Sequence, residues 1–208
     1  MTFNPADSDV ARLFRDPGMF DSADDWRKSG FTILREHEHR ILVASHASVE
    51  KHLFKKYPNR RPANEQLVKY ARRIQGANML RDHVAKKQLE HIVVPQKQLY
   101  QLPFDQPAHL LVVERMETLS TDETERRYQR IEENVLRELC TILSSFRGLD
   151  FERRNCPFTL GGKIAFLDTE YVRRQRRKKR GRYLKYVHAV LSGDAAHFAT
   201  ELWHELDD

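Results

Sequence analysis

The sequence predicts an α+β fold, and three observations carry the prediction. Short apolar runs separated by polar turns occupy the first half, a single helical stripe interrupts them, and amphipathic helices dominate the second half. At 208 residues the chain is one domain or two small lobes, long enough to bury a sizeable core. Its 40% apolar and 32% charged content is ordinary for a soluble globular protein. No stretch approaches 18 consecutive apolar residues, and the start M-T-F-N-P-A-D-S-D lacks a basic segment followed by an apolar one. Neither a membrane span nor a Sec-type signal is therefore expected.

Residues 1–26 mix Pro, Asp and Ser with Val10, Leu13, Phe14, Phe20 and Trp26, and read as a partly ordered arm with one short helix at 9–15. From Gly30 the pattern turns to strands: F-T-I-L, a polar turn at 35–40, I-L-V-A-S-H, and then V-E-K-H-L-F-K-K-Y with rough alternation. Three short consecutive strands suggest an antiparallel meander. Pro58 and Pro62 stop the third. Asn64 then caps a helix whose stripe is Leu67, Tyr70, Ile74, Ala77, Leu80 and Val84, with Lys86 and Lys87 complementing its C-terminal dipole. His91 to Val94 and His109 to Val113 are expected as the fourth and fifth strands, separated by a proline-rich connection. Thr121 or Asp122 can cap one long helix burying Tyr128, Ile131, Val135, Leu136, Leu139, Ile142, Leu143 and Phe146, which Gly148 ends. A last helix carries Val190, Leu191, Phe198, Leu202 and Trp203.

Residues 148–170 concentrate the chemistry. Asp150 is followed five residues later by Asn155, then by a Gly161-Gly162 turn into the apolar run I-A-F-L, which delivers Asp168. One short hairpin thereby brings two acids and an amide together. Phosphoryl transfer needs such a set: an acid to orient the attacking hydroxyl, and an amide and a second acid as oxygen ligands for Mg2+ on nucleotide phosphates.

Taken with the strand and helix order, these residues resemble the protein-kinase-like phosphotransferases from about residue 30 to residue 170. G-L-D-F-E-R-R-N keeps the Asp-to-Asn spacing of the family's catalytic loop but has Gly148 and Leu149 where that loop has His and Arg. D-T-E keeps the Asp of the metal-binding D-F-G at Asp168; H-L-F-K-K-Y offers Lys55 as the strand lysine; V-V-E-R-M is similar to the junction whose backbone receives adenine, at Glu114 to Met116. No G-x-G-x-x-G loop precedes the strands, no A-P-E follows, and only 38 residues lie beyond Glu170.

The resemblance implies a bilobal fold: an arm at 1–26, a lobe with a five-stranded antiparallel sheet, one helix and a hinge at 27–117, and a reduced helical lobe at 118–208 holding the catalytic loop and a basic segment. It implies ATP and Mg2+ as cofactors. Asp150 and Lys55 are the catalytic candidates. Lys55, Asp82, Glu114 and Met116 are the nucleotide candidates, Asp82 as the helix acid beside Lys55, and Asn155 and Asp168 the metal ligands. The implied activity is that of a minimal protein serine/threonine kinase, similar in size to compact kinase effectors that some bacterial pathogens deliver into host cells. Two alternatives use the same residues differently: a kinase-like scaffold without phosphotransfer, or a chain transferring AMP.

The charge is local. Of 36 Lys and Arg, nine lie between Tyr171 and Tyr186 with no acid among them, leaving 27 against 30 Asp and Glu elsewhere. The stretch at 173–185, opening on Arg173 and closing on Lys185, fits docking of an acidic protein substrate. It also fits a nuclear-import address at 173–182, or a nucleic-acid-binding module with Tyr171, Tyr183 and Tyr186 available to stack on bases. A cytoplasmic location, in the producing cell or in a host, follows from the kinase resemblance. Cys140 and Cys156 lack metal-ligand spacing and read as a reduced pair. His37 and His39 lack a third ligand for zinc, His197 and His204 fit a helix surface, and no G-x-S-x-G marks a serine hydrolase.

Overall fold

The computed structural model describes residues 8–14, 22–36, 41–57, 62–102, 108–175 and 179–206. His37, His39, Pro58 and most of the polar turn at 35–40 lie outside them. The chain has an α+β fold, divided between two compact units that it visits alternately. Residues 1–74 and 96–115 form the first, residues 75–95 and 116–208 the second. Residues 75–95, expected with the first lobe, thus pack with the second.

The first unit is built on an antiparallel sheet of β1 (Phe31–Arg35), β2 (Leu42–His46), β3 (His52–Lys56), β5 (Lys97–Gln101) and β6 (His109–Glu114), in the order β1-β2-β3-β6-β5. The fourth strand of this sheet is therefore Lys97–Gln101 rather than His91 to Val94. The apolar run expected there supplies β4 (Ile92–Val93), which pairs in parallel with β8 (Ile164–Ala165) in the second unit. Pro95 separates the two, since it cannot donate to a ladder.

Alternation sends Phe54 to one face of the sheet, into a cluster with Phe31, Tyr100, Leu110 and Val112. Val10, Phe14 and Trp26, expected in a partly ordered arm, belong to that cluster instead. The α1 helix (Ser8–Leu13) leads to Phe14 and α2 (Ala23–Lys28) holds Trp26, and both rings are buried there. Phe14 stands edge-on to Trp26 at 6.0 Å and to Phe54 at 5.3 Å. Ser22 and Asp25 close a capping box at the start of α2, so its place in the chain is also fixed locally. The other face carries Leu53, Leu99, Leu111 and Val113 against Tyr70 and Ile74 of α3 (Ala63–Lys87), and the Tyr70 hydroxyl accepts from the Tyr57 N–H at 3.0 Å.

The second unit takes up α3 from Gln75 onward, followed by β4 and then α4 (Thr121–Gln129) and α5 (Glu133–Ser145). The long helix expected here is two: Arg130 leaves helical geometry at φ −125° and Glu132 is extended. Its start is Ser120, in a capping box with Glu123, rather than Thr121 or Asp122. The single last helix expected is three, α6 (Arg180–Val190), α7 (Gly193–Glu201) and α8 (Trp203–Leu206). A two-stranded ladder of β7 (Phe146–Arg147) and β9 (Arg173–Arg174) brackets the catalytic-type loop, so α5 ends before Gly148, with Phe146 as its C-cap. The core joins Leu80, Ile92, Leu139, Phe146, Phe158, Phe166, Tyr183 and Trp203.

Candidate functional site

Asp150 is presented by two buried neighbours. Leu149 and Phe151 enter the core on either side of it, Phe151 stacking on Phe166 at 6.1 Å, while Asp150 itself is exposed. The Leu149 N–H donates to the Tyr186 hydroxyl at 3.3 Å. A tight turn follows: the Asn155 N–H donates to the Glu152 carbonyl at 2.8 Å, returning Asn155 to its acid. The Asn155 side-chain N–H2 donates to Asp150 Oδ2 at 2.7 Å. Arg153 ties the turn outward, to Glu125 of α4 at 2.8 Å and to the Val190 carbonyl of α6 at 3.4 Å. The Tyr128 hydroxyl donates to the Cys156 carbonyl at 2.7 Å from below.

The hairpin that delivers Asp168 is as expected in its turn. Gly162 adopts φ +81°, a conformation that favours glycine. The Thr159 N–H donates to the Lys163 carbonyl at 2.7 Å across the turn. Beyond β8 the Leu167 N–H donates to the Asn155 carbonyl at 2.8 Å, which joins the two metal-ligand candidates through the backbone. Asp168 Oδ1 accepts from the Glu170 N–H at 3.1 Å.

These groups share one electrostatic neighbourhood. The Asp150 carboxyl is pushed up, first by burial and then by Glu152 and Asp168, against Arg154 and the Asn155 hydrogen bond. Burial, with Asp150 and Asp168 above it, pushes the Cys156 thiol well up. Both cysteines are free and buried.

The donor set suits a hard cation. Asn155 bonds to Asp150 through nitrogen, so its amide oxygen could serve, with the Asp168 carboxylate, as an oxygen donor. The described residues contain no group of three or more His, Cys, Asp or Glu that could hold a metal. Such a partial shell fits Mg2+, which takes its remaining oxygens from phosphates and water.

The other candidates fall as follows. Lys55 is half-buried on β3, beside Leu111 in register and so on the face with Leu53, whereas Lys56 shares the Phe54 face. Two cations that sequence reasoning missed are buried in the first unit: Arg73 on α3, 7% exposed, and Lys97 on β5, 4% exposed and in register with Val113. Asp82 is exposed on α3, off the buried stripe of Ala77, Leu80 and His83. At the 114–116 junction the Glu114 N–H donates to the Gln96 carbonyl at 2.9 Å and the Arg115 N–H to the Lys51 carbonyl at 2.8 Å. Met116 makes no hydrogen bond among the described residues.

In the basic stretch, Arg176, Arg177 and Lys178 lie outside the described residues. Tyr183 and Tyr186 are buried, their hydroxyls bonded to the Ala199 carbonyl and the Leu149 N–H. They are not available to stack on bases; Tyr171 is 57% exposed.

The element order and the placement of this loop define an α+β protein that presents an acid-and-amide pair on a short loop. No family model matches the sequence, and no curated protein does. Among solved structures the chain is similar to a crystal structure of WbdD, with 11% identity and a TM-score of 0.44 over 77% of this chain. The match covers 37% of the WbdD chain.

Proposed function

We propose that the chain is an ATP- and Mg2+-dependent phosphotransferase acting on protein serine or threonine hydroxyls. The observation that supports it is the hydrogen-bonded Asp150–Asn155 pair, linked through the Leu167 N–H to the segment carrying Asp168. Asp150 accepts the hydrogen bond of the acceptor hydroxyl and orients it. The Asn155 amide oxygen and the Asp168 carboxylate hold Mg2+. Bound with nucleotide, the metal supplies neutralisation of charge on the phosphates. Lys55 carries the cationic role that the resemblance assigns to the strand lysine, and Met116 offers its backbone to adenine.

The test is incubation of the full chain with a general protein acceptor and ATP labelled at the γ phosphate, in parallel with ATP labelled at the α phosphate. Label arriving only from the γ position is the expected result. Label from the α position would replace the proposal with AMP transfer, and no transfer from either would overturn catalysis.

We further propose that the acceptor presents acidic residues. Arg147 lies directly opposite Arg173 in the β7·β9 ladder. The His83 imidazole, 5.1 Å from the Phe146 ring of that ladder, is pushed down to about 4 by burial and by Arg174, Lys87 and Lys86. Arg27, Arg127, Arg137, Arg153 and Arg154 all have carboxylate partners, but Arg147, Arg174, Lys86 and Lys87 have none among the described residues. Unneutralised cations grouped in this way attract an anionic partner. The double variant Arg147→Glu/Arg174→Glu is expected to raise KM for an acidic peptide about tenfold, the equivalent of ~1.4 kcal/mol, without changing kcat for a neutral one. Steady-state kinetics at low and high salt check this.

A further inference from the structure

Gly76 stands in the middle of the 25-residue α3 helix, a position where glycine is a poor choice without a packing reason. The reason is a backbone approach. A Cβ at Gly76 would lie 2.0 Å from the Thr169 carbonyl oxygen and 3.1 Å from its carbon. Thr169 directly follows Asp168 and is fully buried. On another side of the same segment, a Cβ at Gly148 would lie 2.1 Å from the Tyr171 carbonyl oxygen, and Gly148 has φ +70°. Gly148 precedes Asp150 by two residues. Two glycines therefore admit the backbone of residues 169–171 between α3 and the loop that carries the acid, at distances no side chain permits. The other described glycines do not share this. Gly181 in α6 has nothing within 4 Å, and Gly162, at φ +81°, has only the end of the Arg127 side chain at 4.0 Å.

We propose that Gly76 and Gly148 are positioning residues that clasp the backbone of residues 169–171 and thereby set the spacing of Asp168 from Asp150 and Asn155. The proposal rests on the assignment of those three side chains to phosphoryl transfer. It extends that assignment to residues that touch neither nucleotide nor acceptor. Neither glycine contributes a functional group. Each acts by leaving out a Cβ, so any L-residue in its place displaces the Asp168 segment.

Two readouts on the full-length protein test the clasp. The first is amide hydrogen exchange, which needs no ligand. Gly76→Ala is expected to lower protection at least tenfold at the Leu167 N–H, bonded to Asn155, and at the Glu170 N–H, bonded to Asp168. The Phe166 N–H, bonded to Val93, and the β1–β3 amides are expected to keep theirs. The second is the affinity for Mn2+ with a non-hydrolysable ATP analogue, expected to fall at least tenfold, as in Asp168→Ala. Gly181→Ala is the control for a helix glycine without a close neighbour, and Gly162→Ala the control for positive φ alone. Gly148→Asn separates the two effects at that site, because asparagine tolerates left-handed geometry but still brings a Cβ. It is expected to behave like Gly148→Ala. The clasp is overturned if Gly76→Ala and Gly148→Asn keep wild-type protection at Leu167 and Glu170, or if Gly148→Ala matches Gly162→Ala in both readouts. If wild type binds the Mn2+–nucleotide probe no better than Asp168→Ala, the phosphoryl-transfer assignment fails; the exchange pattern still decides the clasp.

Discussion

Asp168→Ala is expected to reduce phosphate transfer on the order of 10³-fold while leaving the fold intact. On the proposed assignment, loss of the Asp168 carboxylate from Mg2+ removes several kcal/mol of charge stabilisation, and each 1.36 kcal/mol is tenfold in rate. Asp168 is half-buried, three residues beyond β8, and has no place in the apolar core, so truncation leaves no cavity of consequence. Asp150→Asn is the companion variant, with an expected loss of about 10²–10⁴ for a group that handles the reacting proton. The two differ in stability. The folded Asp150 carboxyl is pushed up by burial and by its acidic neighbours, so its charged form is disfavoured in the native state. The stability it contributes is fully present below the unfolded carboxyl pKa and is lost as pH rises through the raised one. At neutral pH Asp150→Asn should therefore melt no lower than wild type while losing activity, and wild-type transfer should fall as acidification protonates Asp150. Labelled-ATP assays against pH, beside thermal melts of each variant, check both statements. Transfer by Asp168→Ala at the wild-type rate would remove the metal assignment.

Phe54→Ala is expected to destabilise the first unit by about 3–5 kcal/mol, the range for deleting a fully buried aromatic ring. Phe54 is completely buried, at 5.3 Å from Phe14 and 5.6 Å from Phe31, and the other members of its cluster come from six elements, α1, α2, β1, β2, β5 and β6. The surrounding rings cannot all move inward, so the cavity persists. The chain has two tryptophans, Trp26 in the first unit and Trp203 in the second. In a Trp203→Phe background the denaturant midpoint read from Trp26 fluorescence should fall by the corresponding amount. An unchanged midpoint would mean that the aromatic cluster is not what holds the sheet.

The acid-bearing loop was legible because its geometry is set over short distances in the chain. Five residues of tight turn return Asn155 to Asp150, and a glycine turn and the apolar run through β8 lead to Asp168. The sheet was less legible where context decides. β5 reads K-Q-L-Y-Q between prolines, a polar composition that suits the edge position it occupies. Ile92 and Val93 look like a strand and are one, but their partner lies at Ile164 and Ala165, which no local pattern announces. Ile131 continues the helical spacing of Tyr128 and Val135, so the break between α4 and α5 leaves no trace in the apolar stripe. Phe14 and Trp26 sit in polar surroundings in sequence and become core only once a sheet exists for them to cover. The same holds for Gly76, whose reason is a carbonyl 93 positions later in the chain.

The alternation of the chain between its two units also bears on how the protein is made. During synthesis the sheet cannot close until β6 at His109–Glu114 has left the ribosome, because β6 lies between β3 and β5. By then Leu80, Ile92 and Val94 have been waiting, and their partners at Phe158, Ile164 and Phe166 are still to come. A nascent chain halted between these points exposes apolar side chains such as Leu80, Ile92 and Val94 with nothing yet to bury them, the condition under which chaperones are recruited. The crossings at 74/75, 95/96 and 115/116 also mean that no single cut yields two independent fragments.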